Sequence, residues 1–168
     1  MRPIQSLIRF AVPVALVLLT ACAPAPIYQP TAANVVVAPT QVAQTPEQYT
    51  GRDVIWGGRI VQVNNFADHT EIQVLAYVLD SSQRPKLSGN GIGRFIATLP
   101  GYVEPINYPA GAPITVAGRL NGSRSGKVGD ADYVFPLVTA TQAHRWTAEE
   151  LQSGKVNFGV GVGVGVIR

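Results

Sequence analysis

Short apolar runs separated by turn residues fill the chain between residues 49 and 146, and their spacing predicts β-strands. The alternation is clearest from Thr70 to Leu79. Polar residues such as Glu71 and Gln73 take one face, and the other face carries Ile72, Val74, Ala76 and Val78. A period of two with one apolar face is typical of a half-buried strand.

Similar patterns predict four further strands, at Asp53–Asn64, Ile92–Thr98, Ile114–Asn121 and Tyr133–Ala143. Gly57 and Gly58 interrupt the first strand and predict a bulge or a sharp bend there. Five strands, the first long and bent, favour an all-β fold, a small OB-like barrel with a long loop between strands three and four. A β-sandwich is the alternative.

The segments between the strands are rich in turn residues. We expect a hairpin loop at 64–68, loops at 81–91 and 99–113, and a Gly- and Ser-containing turn at 123–131. Pro136 predicts that part of the last strand lies on a sheet edge. After the barrel, Thr147 and Glu150 have the spacing of a capping box and predict one or two helical turns.

The amino terminus has the pattern of an export signal. Arg2 and Arg9 flank a stretch without acidic residues, and an apolar run follows at 11–19. Nine residues are too few to span a bilayer, which needs about 20, but they suit the apolar region of a signal peptide. We therefore predict a signal peptide over residues 1–21.

The signal ends in a sequence that resembles the bacterial lipobox: Leu19, Thr20, Ala21 and Cys22. In such sequences the peptide is cut before the cysteine, whose thiol carries a diacylglycerol and whose freed amine takes an acyl chain. Two or three acyl chains give stable membrane anchoring, at about 0.8 kcal/mol for each buried CH₂. The alternative is an ordinary signal peptide with an unrelated cysteine. Ala23 and Pro24 follow without an aspartate, which favours the outer membrane.

The composition of the chain after the signal peptide divides it into three segments. Residues 22–48 are rich in Pro, Ala, Thr and Gln, and we predict an extended tether there. Residues 49–146 form the barrel, and 147–168 hold the short helix and a tail. Cys22 is the sole cysteine, which excludes an internal disulfide and a Cys₂ or Cys₄ metal site. We expect no bound cofactor apart from the covalent lipid.

Charge argues against nucleic acid as a partner. Of the 13 basic residues, Arg2 and Arg9 lie in the signal peptide, and the other 11 nearly balance the 10 acidic ones. The aromatic residues are therefore expected in the core rather than on a base-stacking surface. These are Trp56, Phe66, Tyr77, Phe95 and Tyr133.

Candidate catalytic and metal-binding residues are few. On a strand His69 and Glu71 share a face and could supply two metal ligands, but no third is evident and zinc sites need three or four. We expect a solvated turn at His69 and a packing role for His144 beside Trp146. Neither histidine lies in a nucleophile motif. We therefore predict a protein that is not an enzyme.

The carboxyl-terminal tail alternates strictly between glycine and valine. As a strand, every valine would face one way, and the glycine face would admit another backbone closely. We consider three possibilities: addition to the domain's own sheet, self-association or binding of an envelope partner, and a tail without structure. The residues concerned are Gly159, Val160, Gly161, Val162, Gly163, Val164, Gly165 and Val166.

The order and spacing of several short pieces resemble the Slp family of outer-membrane lipoproteins. The resemblance runs from Tyr49 to Trp146 and includes the lipobox; its pieces include Trp56–Asn64, Gly93–Ala97, Gly101–Tyr108, Val116–Gly122 and Tyr133–Val138. It implies a lipid-anchored protein on the periplasmic side of the outer membrane, and it supplies no catalytic residues. The expected role is structural or stress-related binding and scaffolding. The alternative is a module that binds a lipid or cell-wall fragment.

Overall fold

A computed structural model describes residues 25–152 of the chain. Its strands are β1 (Asp53–Asn65), β2 (His69–Tyr77), β3 (Arg94–Pro100), β4 (Pro113–Val128) and β5 (Ala131–Arg145). Its helices are α1 (Pro39–Gln44), α2 (Pro46–Tyr49) and α3 (Ala148–Gln152), with one 3₁₀ turn at Pro105–Asn107. The predicted lipobox, Cys22 and the Gly–Val tail lie outside the described residues.

The five strands close into a barrel in the order β1-β2-β3-β5-β4. All neighbouring pairs are antiparallel except β3 and β5, which pair in parallel at 96–98 and 137–139. This closed five-stranded arrangement is that of an OB-type barrel. The all-β barrel prediction is confirmed, and the β-sandwich alternative is wrong.

Strand β1 closes the barrel because its middle pairs with two neighbours at once. Gly57 lies opposite Tyr77 of β2 and Thr115 of β4, and Gly58 lies opposite Ala76 and Ile114. A Cβ atom on Gly58 would stand 1.9 Å from the Leu75 carbonyl oxygen. At the glycines, where a bulge or a bend was predicted, the backbones of neighbouring strands approach closely. The register of β1 against β2 shifts later, between Ile60 and Gln62.

The β4–β5 hairpin is longer than the sequence pattern indicated. Residues 123–131 were expected to be a turn, but pairing continues to Val128 and Ala131, and the turn is confined to Gly129 and Asp130. Few apolar residues mark this extension because most of its residues are exposed or half-buried. Pro136 lies opposite Ser123 at a register shift, where a missing backbone N–H is tolerated.

The tether prediction is wrong for the described part of residues 22–48. This segment packs on the barrel: Val42 in α1 is only 1% exposed and belongs to the core. Asn34 bridges Asp53 in parallel, and the indole Nε1 of Trp56 donates to the Val37 carbonyl at 2.8 Å. Two of the prolines that suggested an extended chain instead stand at the first positions of α1 and α2, where the missing N–H costs nothing.

The barrel interior holds one hydrophobic cluster, which the amino-terminal segment extends through Val42. Its members from the strands are mainly aliphatic, with Trp56 packed on Phe95 at 5.2 Å between ring centroids. The buried members are Val42, Val54, Trp56, Ile60, Ile72, Val74, Ala76, Phe95, Ala97, Leu99, Ile114, Val116, Leu120 and Val138.

The predicted core was partly wrong at the strand ends and loops. Val78 lies beyond the end of β2 and is exposed, and Phe66 is exposed in the β1–β2 turn. Tyr77 and Tyr133 are half-buried.

The predicted helix is confirmed as α3, where the Thr147 N–H donates to Glu150 Oε2 (2.7 Å) and the Glu150 N–H donates to Thr147 Oγ1 (3.2 Å). Among residues 25–152, no helix has the length and apolar character needed to cross a bilayer.

Gly58→Ala tests the double pairing of β1. We expect it to lower the free energy of unfolding by about 3 kcal/mol or to prevent folding, because backbone rather than a movable side chain meets the new methyl group. The measurement is chemical denaturation followed by circular dichroism. Gly89→Ala is the matched control, since its nearest atom is the Lys86 carbonyl oxygen at 3.5 Å. Equal midpoints for the two variants would contradict the close approach.

Candidate attachment site and surface grooves

The amino-terminal segment is fastened to the barrel at Tyr28 by the side-chain amide of Gln83. The Tyr28 N–H donates to Gln83 Oε1 at 2.8 Å, and Gln83 Nε2 donates to the Tyr28 carbonyl at 2.8 Å. Both residues are buried. Because one amide satisfies both backbone groups of one residue, it fixes the position and direction of the chain there. We call this pair the clamp.

The clamp is connected to the barrel wall through Thr115 of β4, which is completely buried. Its hydroxyl donates to the Gln83 carbonyl at 2.7 Å and accepts from the indole Nε1 of Trp146 at 2.9 Å. The Tyr28 hydroxyl donates to the Thr115 carbonyl at 3.4 Å. The Arg84 guanidinium lies 5.6 Å from the Trp146 ring centroid. Both ends of the described chain therefore meet the same strand.

The backbone of Gln83 is held in an uncommon conformation. Its φ of 64° is the only positive value at a non-glycine residue within residues 25–152. Asp80 shapes this turn: its carboxylate accepts from the N–H groups of Ser82 (2.8 Å) and Arg84 (2.9 Å). Such strain persists only where surrounding contacts fix it, and it often marks functional positions.

Burial raises the pKa of Tyr28 to about 12, with a smaller contribution from Tyr108. The phenol is therefore neutral at any physiological pH and retains its proton for donation to the Thr115 carbonyl.

A groove of about 590 Å³ lies between the amino-terminal segment and strands β1, β4 and β5. Most of its surface is apolar, and we call it the polar groove only for the polar side chains that line it. Arg119 Nε is 3.0 Å from Asp53 Oδ1, and the Thr31 hydroxyl donates to Asp53 Oδ2 at 2.8 Å. The hydrogen bonds from Arg119 and then Thr31 hold the pKa of Asp53 below its ordinary value. The other polar lining is uncharged: Gln29, Asn34, Thr50, Asn121, Thr139, Thr141 and Gln142.

An apolar groove of about 510 Å³ lies beside the clamp. The segment 34–38 forms one wall, and the end of β2 with the residues after it forms the other. Gln83 lines this groove as well as holding Tyr28. A third, smaller cleft of about 210 Å³ lies under the β4–β5 hairpin, where Arg124 Nη2 is 2.6 Å from Glu71 Oε1.

Both histidines contact a carboxylate and an aromatic ring. His69 Nδ1 is 2.7 Å from Asp68 Oδ1, and the His69 ring stacks on Phe66 at 4.7 Å. The hydrogen bond between His69 and Asp68 is the main cause that holds the pKa of Asp68 below its ordinary value. His69 Nε2 is 3.7 Å from Glu71 Oε1. Within residues 25–152, no group of three or more His, Cys, Asp or Glu side chains is arranged to hold a metal ion.

His144 packs edge-on against Trp146 at 4.5 Å, as the sequence suggested, and its Nε2 is 3.2 Å from Glu150 Oε1.

The sequence did not reveal the clamp. Tyr28 lay in a stretch interpreted as tether, and Gln83 lay in a polar loop. No local signal joins two residues 55 positions apart. The predicted lipidation residues and the Gly–Val tail are outside the structure's described range.

Comparisons with known proteins agree on one family. A family model described as "Outer membrane lipoprotein Slp family" matches residues 19–161. The chain is 32% identical over 106 residues to "Uncharacterized lipoprotein YeaY" of Escherichia coli (strain K12), covering 63% of this chain and 54% of that protein. It is 28% identical over 117 residues to "Outer membrane protein Slp" of the same organism, covering 70% and 62%.

An "Uncharacterized protein" of Haemophilus influenzae is 40% identical over 92 residues, covering 54% of this chain and 50% of that protein. The matched region thus spans only 50% to 62% of the length of these relatives. Among solved structures, a small single-stranded DNA-binding protein from Streptomyces coelicolor aligns with a TM-score of 0.39 and 12% identity, covering 60% of this chain and 98% of that one.

Gln83→Ala tests the clamp. We expect it to lower the free energy of unfolding by about 2 kcal/mol or more, because the N–H and C=O of Tyr28 would be buried without partners. Gln83→Gly should cost about 1 kcal/mol less, since glycine adopts the positive φ freely. Thermal and denaturant unfolding measure both, with Ser88→Ala in the same loop as control. A Gln83→Ala variant as stable as the control would contradict the clamp.

Proposed function

The chain belongs to the Slp family of outer membrane lipoproteins, and from that premise we propose that it is a non-enzymatic binding or scaffold protein of the cell envelope. A lipid on Cys22 holds it to the membrane, and its barrel faces the periplasm. The single observation that carries this proposal is the family match over residues 19–161, and the clamp adds a fixed attachment of Tyr28 to the barrel.

Lipid attachment at Cys22 is supported by the sequence around it. The family match begins at residue 19, the first residue of the lipobox, and Cys22 is the only cysteine of the chain. A thioether-linked diacylglycerol with a further acyl chain on the amine gives anchoring that a single chain does not. The membrane lipid is thus the first partner of this protein.

A structural role is supported by what the polar side chains of the barrel contact. The histidines hold carboxylates and aromatic rings, and the buried hydroxyl of Thr115 joins the clamp to Trp146. Contacts of this kind hold neighbouring elements of a fold together. We keep the Gly–Val tail, residues 159–166, as the candidate surface for self-association or for an envelope partner.

A second candidate function is binding of a neutral cell-wall fragment in the polar groove. Hydroxyl and amide side chains dominate its polar lining, and its one acid, Asp53, is already paired with Arg119. Such side chains can pair with the hydroxyl and amide groups of a glycan or a short peptide.

Cys22→Ser tests the anchor. We expect the wild-type chain from residue 22 to carry the mass of two or three acyl chains and to fractionate with the outer membrane, and the variant to lose both properties, because serine provides no thiol. Intact-mass spectrometry and membrane fractionation measure this. Ala23→Ser, beside the same site, is the control and should behave as wild type. An unmodified sulfur in the wild-type protein would overturn the anchor.

Thr139→Val tests the second candidate. In nuclear magnetic resonance titrations with soluble muropeptides, we expect shifts in the backbone signals of Thr139 and Thr141, and affinity about tenfold weaker in the variant, since it loses one hydroxyl partner. Ser88→Ala, which removes a hydroxyl from the exposed loop before β3, is the control and should leave affinity unchanged. If the titration moves no signal of the polar groove, this candidate function is excluded.

A further inference from the structure

We propose that the barrel rests on the phospholipid surface through one defined patch, the docking face, made of Ile27, Val36, Val78 and Lys86. The inference rests on the proposed lipid anchor and goes beyond it, because an anchor alone does not determine which side of a domain meets the membrane. Four observations support it: the length of the anchoring segment, the position of the clamp, the exposure of three apolar side chains, and one adjacent cation.

The anchoring segment is short. Five residues lie between Cys22 and Tyr28, and even fully extended the six steps of this segment span only about 20 Å. A domain of this size has a radius of gyration of about 14 Å, so its diameter exceeds the reach of the segment. The barrel therefore cannot turn freely above the bilayer, and the side that carries Tyr28 stays near the lipid.

The clamp determines which side that is. Tyr28 is held by Gln83, and Gln83 lines the apolar groove together with Val36 and Val78. Ile27 precedes Tyr28 directly in the chain. Val36 and Val78 thus lie along the groove that the clamp lines, and Ile27 is joined to the clamp by the chain itself.

All three side chains are exposed, although their neighbours are not. Val35 and Val37 pack against the core, so the backbone alternation directs Val36 fully outward. Val78 is 53% exposed just beyond β2, and Ile27 is 37% exposed. Adjacent exposed apolar residues mark an interaction surface more strongly than isolated ones. Here the nearest apolar phase is the membrane that holds the anchor.

Lys86 adds a charge suited to this surface. Its backbone N–H donates to the Val78 carbonyl at 2.8 Å, and the residue is exposed. A cation next to an apolar patch is attracted to anionic phospholipid headgroups. This combination favours a lipid surface over a second copy of the domain or the chain's own Gly–Val tail.

The opposite end of the β1–β2 pair provides an internal comparison. Phe66 in the β1–β2 turn is apolar and 47% exposed, nearly as much as Val78. The β1–β2 register runs from the Gly57–Tyr77 pair to the Asn65–Thr70 pair, and eight residues of strand extend about 26 Å. Phe66 is thus matched to Val78 in character but lies far from the clamp.

The test places a probe at each position of the full-length acylated protein. Because Cys22 is the only natural cysteine and its sulfur is acylated, a new thiol in V36C, V78C or F66C takes a polarity-sensitive fluorophore selectively. The labelled proteins are reconstituted into vesicles of phosphatidylethanolamine with a minor share of phosphatidylglycerol. Quenchers attached to the lipid chains and quenchers dissolved in water then report the surroundings of each probe.

We expect lipid-borne quenchers to reduce the emission of the probes at positions 36 and 78 by roughly half or more, because an apolar face of this kind sits about 5–10 Å into the interface. The probe at position 66 should respond to aqueous quenchers only. Water access at positions 36 and 78 in a protein that still floats with vesicles would overturn the docking face and leave the anchor standing.

Two further outcomes also decide the matter. Probes at 36 and 78 that are shielded from both quenchers would mean that protein, either a second copy or the tail, covers the patch, and the docking face would be wrong. Failure of the wild-type protein to float, with label found on Cys22, would overturn the proposed anchor itself and with it this inference. Intact-mass analysis of each labelled sample separates these cases.

Discussion

The hydrogen bonding of one buried amide fixes the amino-terminal segment to the barrel at Tyr28. Gln83 satisfies both backbone groups of Tyr28, a residue that would otherwise belong to a loose leader. An unpaired buried N–H or C=O costs about 1–3 kcal/mol, so the segment has a strong preference for this one placement. The residues that follow pack against the barrel through contacts of their own, with Val42 of α1 in the core and the Val37 carbonyl bound by Trp56.

The clamp depends in turn on how the barrel closes. A Cβ atom on Gly57 would lie 2.7 Å from the Thr115 hydroxyl, so the glycine leaves space for a polar group inside the wall. That hydroxyl holds the Gln83 carbonyl and receives the indole N–H of Trp146. A missing side chain in β1 thus permits a buried hydrogen-bond network that gathers both ends of the described chain. Such networks are stabilising only when every member is satisfied.

The sequence was sufficient for the fold because alternation and turn residues are local signals. It predicted all five strands, and its bounds for β1 and β2 are within a few residues of the observed ones. It also predicted the capping box of α3. It failed where the deciding contact is distant in sequence. The Pro-rich segment resembles a tether until Val42 enters the core, and the β4–β5 extension resembles a loop until β5 pairs with it. The clamp joins this misread amino-terminal segment to a correctly predicted polar loop that carries no sign of a partner, so no local pattern could have indicated it.

The central claim is that the segment after the lipobox is part of the folded domain. Hydrogen–deuterium exchange of the acylated protein on vesicles tests it most directly, through peptides that cover residues 25–50. The clamp predicts that the Tyr28 amide and the α1 amides exchange as slowly as those of β1 and β2, because they open only with the barrel. Exchange of these amides at the rate of an unstructured chain, beside protected strands, would contradict the account.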